Sequence, residues 1–165
     1  DAKVSHVLSI IDPQEPEPEA FRFYPSHERL TLRFDDVVGV YPGFEPPGRD
    51  DVKKLLDFGQ SLASSGKDGH LLVHCHAGIS RSTAATAIVL AQHNPGRERD
   101  AFLALLDLRP HGWPNTRMVD FADELLDRKG ALLMGLGEYR RALLARKPHL
   151  AEIIRNIGRG NELPK

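Results

Sequence analysis

Apolar residues follow two rhythms along the chain. VSHVLSIID (residues 4–12) is short, apolar and rich in β-branched residues, the pattern of a buried strand. RLTLRF (29–34) alternates, with Leu30, Leu32 and Phe34 on one face, and predicts a second strand; HLLVH (70–74), bounded by Gly69, predicts a third. The helical rhythm enters at DVKKLLDFGQSLASSG (51–66), where Val52, Leu55, Leu56 and Leu62 share a face and Gly66 ends the run. Residues 82–92 are nearly all apolar, which predicts a helix buried on every side. Further helices are predicted over 97–108, 115–128, 131–146 and 149–157. Two stretches interrupt the pattern. PQEPEPE (13–19) can propagate neither helix nor sheet. DDVVGVYPGFEPPGRD (35–50), with three prolines and three glycines, reads as a long loop, and loops of this length in small domains are usually functional or mobile.

Strands separated by helices and followed by a helical run indicate an α/β fold: a small central, mostly parallel sheet flanked by helices and covered on both faces. A chain of 165 residues suits one domain over 1–165 with a sizeable core. At 41% hydrophobic, 27% charged and net charge −1, it has no basic field for nucleic acid and no basic tract for an anionic membrane. Its longest apolar stretch, 84–91, is far too short to span a bilayer. The expectation is therefore a cytoplasmic monomer with no nucleic-acid or membrane partner. A single cysteine excludes an internal disulfide, and equally a zinc site needing two cysteine ligands. The chain opens at Asp1 without methionine and enters a strand almost at once, so residues are expected to precede it.

That one cysteine, Cys75, lies in LLVHCHAGISRSTAATAIVLA (71–91). A strand ending at His74 and a helix starting at Arg81 or Ser82 leave residues 75–80 to turn the chain. Such a junction aims several backbone N–H groups inward at the positive end of the helix dipole. Gly78 permits a positive φ where the loop curls, and Ser80 adds a hydroxyl. Arg81, at the rim, carries a planar fork suited to a tetrahedral oxyanion. The result is an anion cradle with a thiol at its floor. A thiolate is the reactive form of cysteine, and N–H groups, Arg81 and the Ser82 hydroxyl would together favour it. The plainer alternatives are a buried structural thiol for Cys75 and a helix-start salt bridge for Arg81.

HCHAGISRS resembles the His-Cys-x5-Arg-Ser/Thr signature loop of the cysteine-dependent protein tyrosine phosphatase superfamily. It is most similar to the dual-specificity branch, bacterial members included, and the outline extends over roughly 4–126. If each residue type were about one in twenty, this five-residue match would arise at about one in three million starting positions. The resemblance implies Cys75 as nucleophile, with Arg81 and the loop residues His76, Ala77, Gly78, Ile79 and Ser80 holding the phosphate. It implies Ser82 easing thiolate departure, and His74 bracing the loop rather than acting as a base. His76, where relatives vary, would shape the pocket mouth.

A general acid is implied upstream. LTLRFDDV supplies Asp36, with Asp35 the near alternative; the plain reading is that both merely cap the loop. Asp36 and Cys75 stand 39 residues apart, more than in compact relatives, which leaves open how residues 37–48 close over the pocket. WPN (113–115) resembles a loop near the pocket, although Asn115 equally suits a helix N-cap. Arg140–Arg141 and Arg146–Lys147 read as a solvated basic face.

The activity implied is a phosphomonoesterase acting through a phosphocysteine, with no cofactor and no metal, on a phosphoprotein, phosphotyrosine preferred and dual specificity open. Phosphate or sulfate would occupy the cradle. Two alternatives remain open. One is a phosphoinositide or inositol phosphate phosphatase, although HAGIS lacks the lysines such relatives place in the loop. The other is a non-catalytic phosphate-binding docking module.

Overall fold

The computed structural model describes residues 4–24, 26–62 and 70–164; the expected helix stop at Gly66 and the strand boundary at Gly69 lie outside them. Strands β1 (Val4–Ile11), β2 (Glu28–Arg33) and β3 (His70–His74) form one sheet in the order β2-β1-β3. Both pairings are parallel, with Leu8 opposite Leu30 on one side and Val73 on the other. Strands β2 and β3 lie on opposite sides of β1, and α1 (Arg49–Leu62) stands between them in the chain. It starts two residues earlier than the apolar pattern shows, where the Gly48 N–H donates to Asp51 Oδ2 at 2.9 Å.

The central strand is buried on both faces: Val7, Leu8, Ser9 and Ile10 are all inaccessible to solvent. On one face, Leu8, Ile10 and Leu32 pack with Val52 and Leu55 of α1 and with Ala84, Ala85, Ala87 and Ile88 of α2 (Arg81–His93). The other face is covered by the proline-rich segment. Arg33 Nη1 donates to the carbonyls of Pro13 and Glu15, and Thr31 Oγ1 donates to Glu17. A 3-10 turn at Glu19–Phe23, absent from the sequence pattern, sets the Phe21 ring 5.1 Å from that of His74 and beneath the Arg29 guanidinium.

Behind α2, the core continues through Phe102 of α3 (Glu98–Leu103), Leu105 of α4 (Leu105–Leu108), Met118 and Val119 of α5 (Thr116–Leu125) and Leu132, Leu136 and Tyr139 of α6 (Ala131–Arg146). Helix α7 (Leu150–Asn156) closes it with Ile154. The helix expected over 97–108 is two helices. The hydrogen bonding tightens at Ala104, whose carbonyl accepts from Asp107, and both Phe102 and Leu105 are buried across the bend.

Candidate active site

Strand β3, partly buried, ends at His74 and the buried helix α2 begins at Arg81, so the intervening loop is fixed at both ends by regular structure. Three consecutive carbonyls of this loop are held outward. Arg109 donates from Nε to Gly78 O (2.8 Å) and from Nη2 to Ala77 O (3.2 Å), and the Trp113 N–H donates to Ile79 O (2.7 Å). A trans peptide sets its N–H opposite its carbonyl, so the N–H groups of Gly78, Ile79 and Ser80 face the concave side. Gly78 has φ +67°, the left-handed region that a side chain resists.

Cys75 is half-buried, with Sγ 3.2 Å from Ser82 Oγ. Arg81 is only 3% exposed, a correction to the rim position expected for it. Its Nη1 donates to Asp12 Oδ1 (2.5 Å) and to the Phe34 carbonyl (2.6 Å), which draw the guanidinium beneath the loop. Its Nε is buried and has no partner among the described residues. A cavity of about 320 Å³ is bounded by Asp12, Asp36, Phe44, Cys75, His76 and Arg81. A guanidinium edge lacking a partner, beside a thiol and inward N–H groups, is what a tetrahedral oxyanion would complete.

Both candidate acids border this cavity, and they make different contacts. Asp35 belongs to its own loop: its carboxylate accepts the Glu45 N–H, and its N–H donates to Glu45 O, each at 2.7 Å. Asp36 is instead bound by the 75–80 loop and by the N-cap of α5. Its Oδ1 accepts from Ser80 Oγ (2.6 Å) and Asn115 Nδ2 (3.0 Å), and Arg159 Nη1 lies 3.9 Å away. The Ser80 hydroxyl, expected to add to the cradle, is turned to Asp36 instead. Asn115 is the N-cap of α5, accepting the Met118 N–H on Oδ1, and the same side chain braces Asp36 and the Val37 carbonyl.

His74 Nε2 sits 2.7 Å from Ser9 Oγ on the central strand, which ties the loop's first residue to the sheet. Burial pushes the His74 imidazole below its ordinary value; a hydrogen bond with the Cys75 backbone opposes this and the Arg29 charge adds to it. His76 is exposed and borders the cavity. Ala77 and Ile79 are also exposed on the loop. Among the described residues no group of three or more His, Cys, Asp and Glu side chains could hold a metal ion.

Sequence reasoning missed a buried ionic cluster beside the site. Arg140, expected on a solvated basic face, is 5% exposed because it packs over Trp113 and donates to Glu162 Oε1 (2.9 Å) and to the Pro114 carbonyl. Glu162 also accepts from Trp113 Nε1 (3.1 Å), Thr116 Oγ1 and Arg159 Nε. Burial alone would raise the Glu162 carboxyl; the Arg159 hydrogen bond, the Arg140 and Arg159 charges and Thr116 outweigh it and hold it below its ordinary value. Charged residues scattered over 140–162 carry no spacing motif that would have revealed this.

No protein-family model matches the chain. It is 25% identical over 122 residues to MAP kinase phosphatase with leucine-rich repeats protein 2 of Dictyostelium discoideum, covering 73% of this chain and 15% of that protein. The chain thus spans a small part of that relative. Among solved structures, the human tyrosine phosphatase-like serine/threonine/tyrosine-interacting protein superposes with a TM-score of 0.58, 24% identity, and coverage of 77% of this chain and 79% of that one. DUSP15 superposes with a TM-score of 0.54, 25% identity, and coverage of 87% and 80%. In fold and in sequence, the chain resembles the dual-specificity branch of the cysteine-dependent protein tyrosine phosphatase superfamily.

Proposed function

We propose that the chain is a phosphomonoesterase, a single dual-specificity-like phosphatase domain that acts on phosphoproteins with phosphotyrosine preferred. The observation that carries this reading is the convergence of the Cys75 thiol, the unpartnered edge of Arg81 and the Asp36 carboxyl on one cavity. The Cys75 thiolate attacks phosphorus in line, while Arg81 and the loop N–H groups hold the equatorial oxygens as charge develops on them. The phosphorus–oxygen bond breaks, its electron pair passes to the leaving oxygen, and Asp36 supplies that oxygen with a proton. Asp36, now a carboxylate, takes a proton from water as the water attacks the phosphocysteine. The sulfur–phosphorus bond breaks, its electron pair returns to Sγ, and Ser82 Oγ donates to the departing thiolate. Every step uses this chain's own residues and no cofactor.

Two features favour a phosphopeptide over a phosphoinositide. Asp12 and Asp35 border the hollows at the site mouth together with Glu15 and Glu45, a wall that repels a polyanionic headgroup. Phe44 and Ile79 stand half-exposed beside it, an apolar rim suited to an aryl ring. The lone thiol suits a reducing compartment such as the cytoplasm, and no helix among the described residues is long and apolar enough to cross a membrane.

The test is phosphate release from phosphotyrosine and phosphoserine peptides and from phosphoinositide vesicles, for the wild-type chain and Cys75→Ser. Release from the phosphotyrosine peptide that is lost in Cys75→Ser supports the reading. Release from vesicles alone would make the protein a lipid phosphatase. Peptide binding with no release from any substrate would make it a docking module.

A further inference from the structure

The C-terminal turn reaches into the active site through one side chain. Gly158, with φ +79°, ends α7, and the Arg159 N–H returns to the Ile154 carbonyl. This reversal sends Arg159 inward, where its side chain is 13% exposed. Its Nε is bound by Glu162, itself held by Arg140, Trp113 and Thr116. Its Nη1 donates to Ser80 Oγ at 3.0 Å, and Ser80 Oγ donates to Asp36 Oδ1 at 2.6 Å. A serine hydroxyl has one hydrogen. With Arg159 donating into its lone pair, that hydrogen is committed to Asp36.

The consequence concerns the two oxygens of Asp36. Oδ1 receives Ser80 and Asn115 and faces the Arg159 cation, so the donors crowd one oxygen. A proton cannot sit comfortably on an oxygen that already accepts two hydrogen bonds beside a guanidinium. It belongs on Oδ2, which carries none of these bonds. We infer that Arg159 is a positioning residue for the acid step: anchored by Glu162, it orients Ser80 so that Asp36 offers its proton from Oδ2 toward the leaving oxygen. The inference rests on the phosphatase reading above, with Asp36 as the acid.

Leaving-group dependence separates this role from a structural one. A 4-nitrophenolate leaves with little help from an acid, whereas phenolate needs the proton. Steady-state kcat and KM are measured on 4-nitrophenyl phosphate and phenyl phosphate for wild type, Asp36→Asn, Arg159→Gln, Arg159→Lys and the Asp36→Asn/Arg159→Gln double variant. Arg159→Gln is expected to lower kcat on phenyl phosphate about tenfold, part of the 10²–10⁴ a general acid contributes. On 4-nitrophenyl phosphate the loss is expected to stay within about twofold, with KM unchanged on both.

Arg159→Lys keeps a charge against Glu162, and so the fold should Arg159→Gln fail to fold. A single ammonium cannot bridge Glu162 and Ser80 as a planar fork does, so the same signature is expected. In the Asp36→Asn background, Arg159→Gln should add less than about twofold, because the two act as one unit. Equal losses on both substrates, or a loss confined to KM, would overturn the role of Arg159 while Asp36→Asn still shows the leaving-group signature. Wild-type kcat on phenyl phosphate in Asp36→Asn would instead remove Asp36 as the acid, and this inference with it.

Discussion

Asp12 Oδ1 lies 2.5 Å from Arg81 Nη1, joining the end of the central strand to the arginine at the start of α2 across 69 residues of sequence. Together with the Phe34 carbonyl, Asp12 binds one edge of the guanidinium and leaves Nε without a partner. Asp12→Asn keeps the shape but weakens a hydrogen bond to a charged group, an interaction of about 1.5–3 kcal/mol. The expected result is a fall in kcat/KM of about tenfold or more, and weaker inhibition by vanadate, since an unfixed Arg81 recognises every tetrahedral oxyanion less well. Steady-state kinetics with vanadate titration checks this; unchanged inhibition would show that Asp12 does not set the Arg81 geometry.

Ser82 Oγ, 3.2 Å from Cys75 Sγ, is placed to donate to a thiolate leaving group, which matters in the second step and not the first. Ser82→Ala is therefore expected to slow phosphocysteine hydrolysis about tenfold to a hundredfold, the worth of one hydrogen bond to a charged atom. With 4-nitrophenyl phosphate, rapid mixing should show a burst of nitrophenol close to one per enzyme, and intact-mass spectrometry should show the phosphorylated chain. Turnover slowed without a burst would put the loss in the first step.

Gly78 and Arg109 act as a pair. A Cβ on Gly78 would lie 2.7 Å from Arg109 Nη2, and its φ of +67° would cost a side chain about 1–2 kcal/mol. Gly78→Ala should displace Arg109 and free the outward carbonyls, with activity falling more than stability. Arg109→Ala keeps the glycine but removes the two bonds to Ala77 and Gly78, and a loss of about tenfold in kcat/KM is expected as the N–H groups lose their fixed aim. Thermal melts alongside kinetics check both variants; a drop in melting temperature with full activity would mean that the loop holds its shape without Arg109.

Much of this arrangement was legible in the sequence because it is local. The 70–74 strand, the 75–80 turn and the buried helix that follows are contiguous, and each of Cys75, Gly78 and Arg81 announces a need that the turn itself creates. Asp36 was readable from its place at a strand end before a long loop. The sequence alone does not separate it from Asp35; in the structure Glu45 closes on Asp35 and Ser80 on Asp36. Asp12, Arg109 and Arg159 were not legible. Each acts across more than thirty residues and stands in a stretch whose composition reads as ordinary strand end, loop or helix terminus. Arg140 misled because a pair of adjacent arginines suggests solvent, while only Trp113 and Glu162 reveal that one of them is inside.

His74 makes stability depend on pH. Burial, seconded by the Arg29 charge and opposed by the Cys75 backbone hydrogen bond, holds its imidazole below the ordinary 6.5. Protons therefore bind the unfolded chain first as pH falls. The stabilisation is complete above 6.5 and is lost as pH drops through the lower folded value. Melting temperatures from pH 8 to pH 5 should fall more steeply for wild type than for His74→Gln, which keeps a polar partner for Ser9 but cannot titrate in this window. Parallel curves would show that His74 charges as readily in the folded chain as in the unfolded one.

Glu162 balances two guanidinium groups, those of Arg140 and Arg159, in a setting where its own side chain is 4% exposed and theirs 6% and 13%. Glu162→Gln preserves shape and an acceptor oxygen but, among the described residues, leaves Arg140 without its anion and Arg159 with only Asp36, 3.9 Å away. Removing one partner of a buried ion pair costs about 3–5 kcal/mol, and in a chain of this size that lowers the melting temperature by about 6–20 °C. The pH dependence has a definite sign. The wild-type carboxyl is held below its ordinary value of 4.5 by Arg159, Arg140 and Thr116 against the opposing effect of burial. Its contribution is thus full above that value and is lost as pH falls through the folded one. Melts from pH 7 to pH 3 should show wild type converging on Glu162→Gln at the acid end. Because Arg159 loses its anchor as well, the variant, assayed below its melting temperature, should lose more activity on phenyl phosphate than on 4-nitrophenyl phosphate. Equal losses on the two substrates would confine Glu162 to holding the fold.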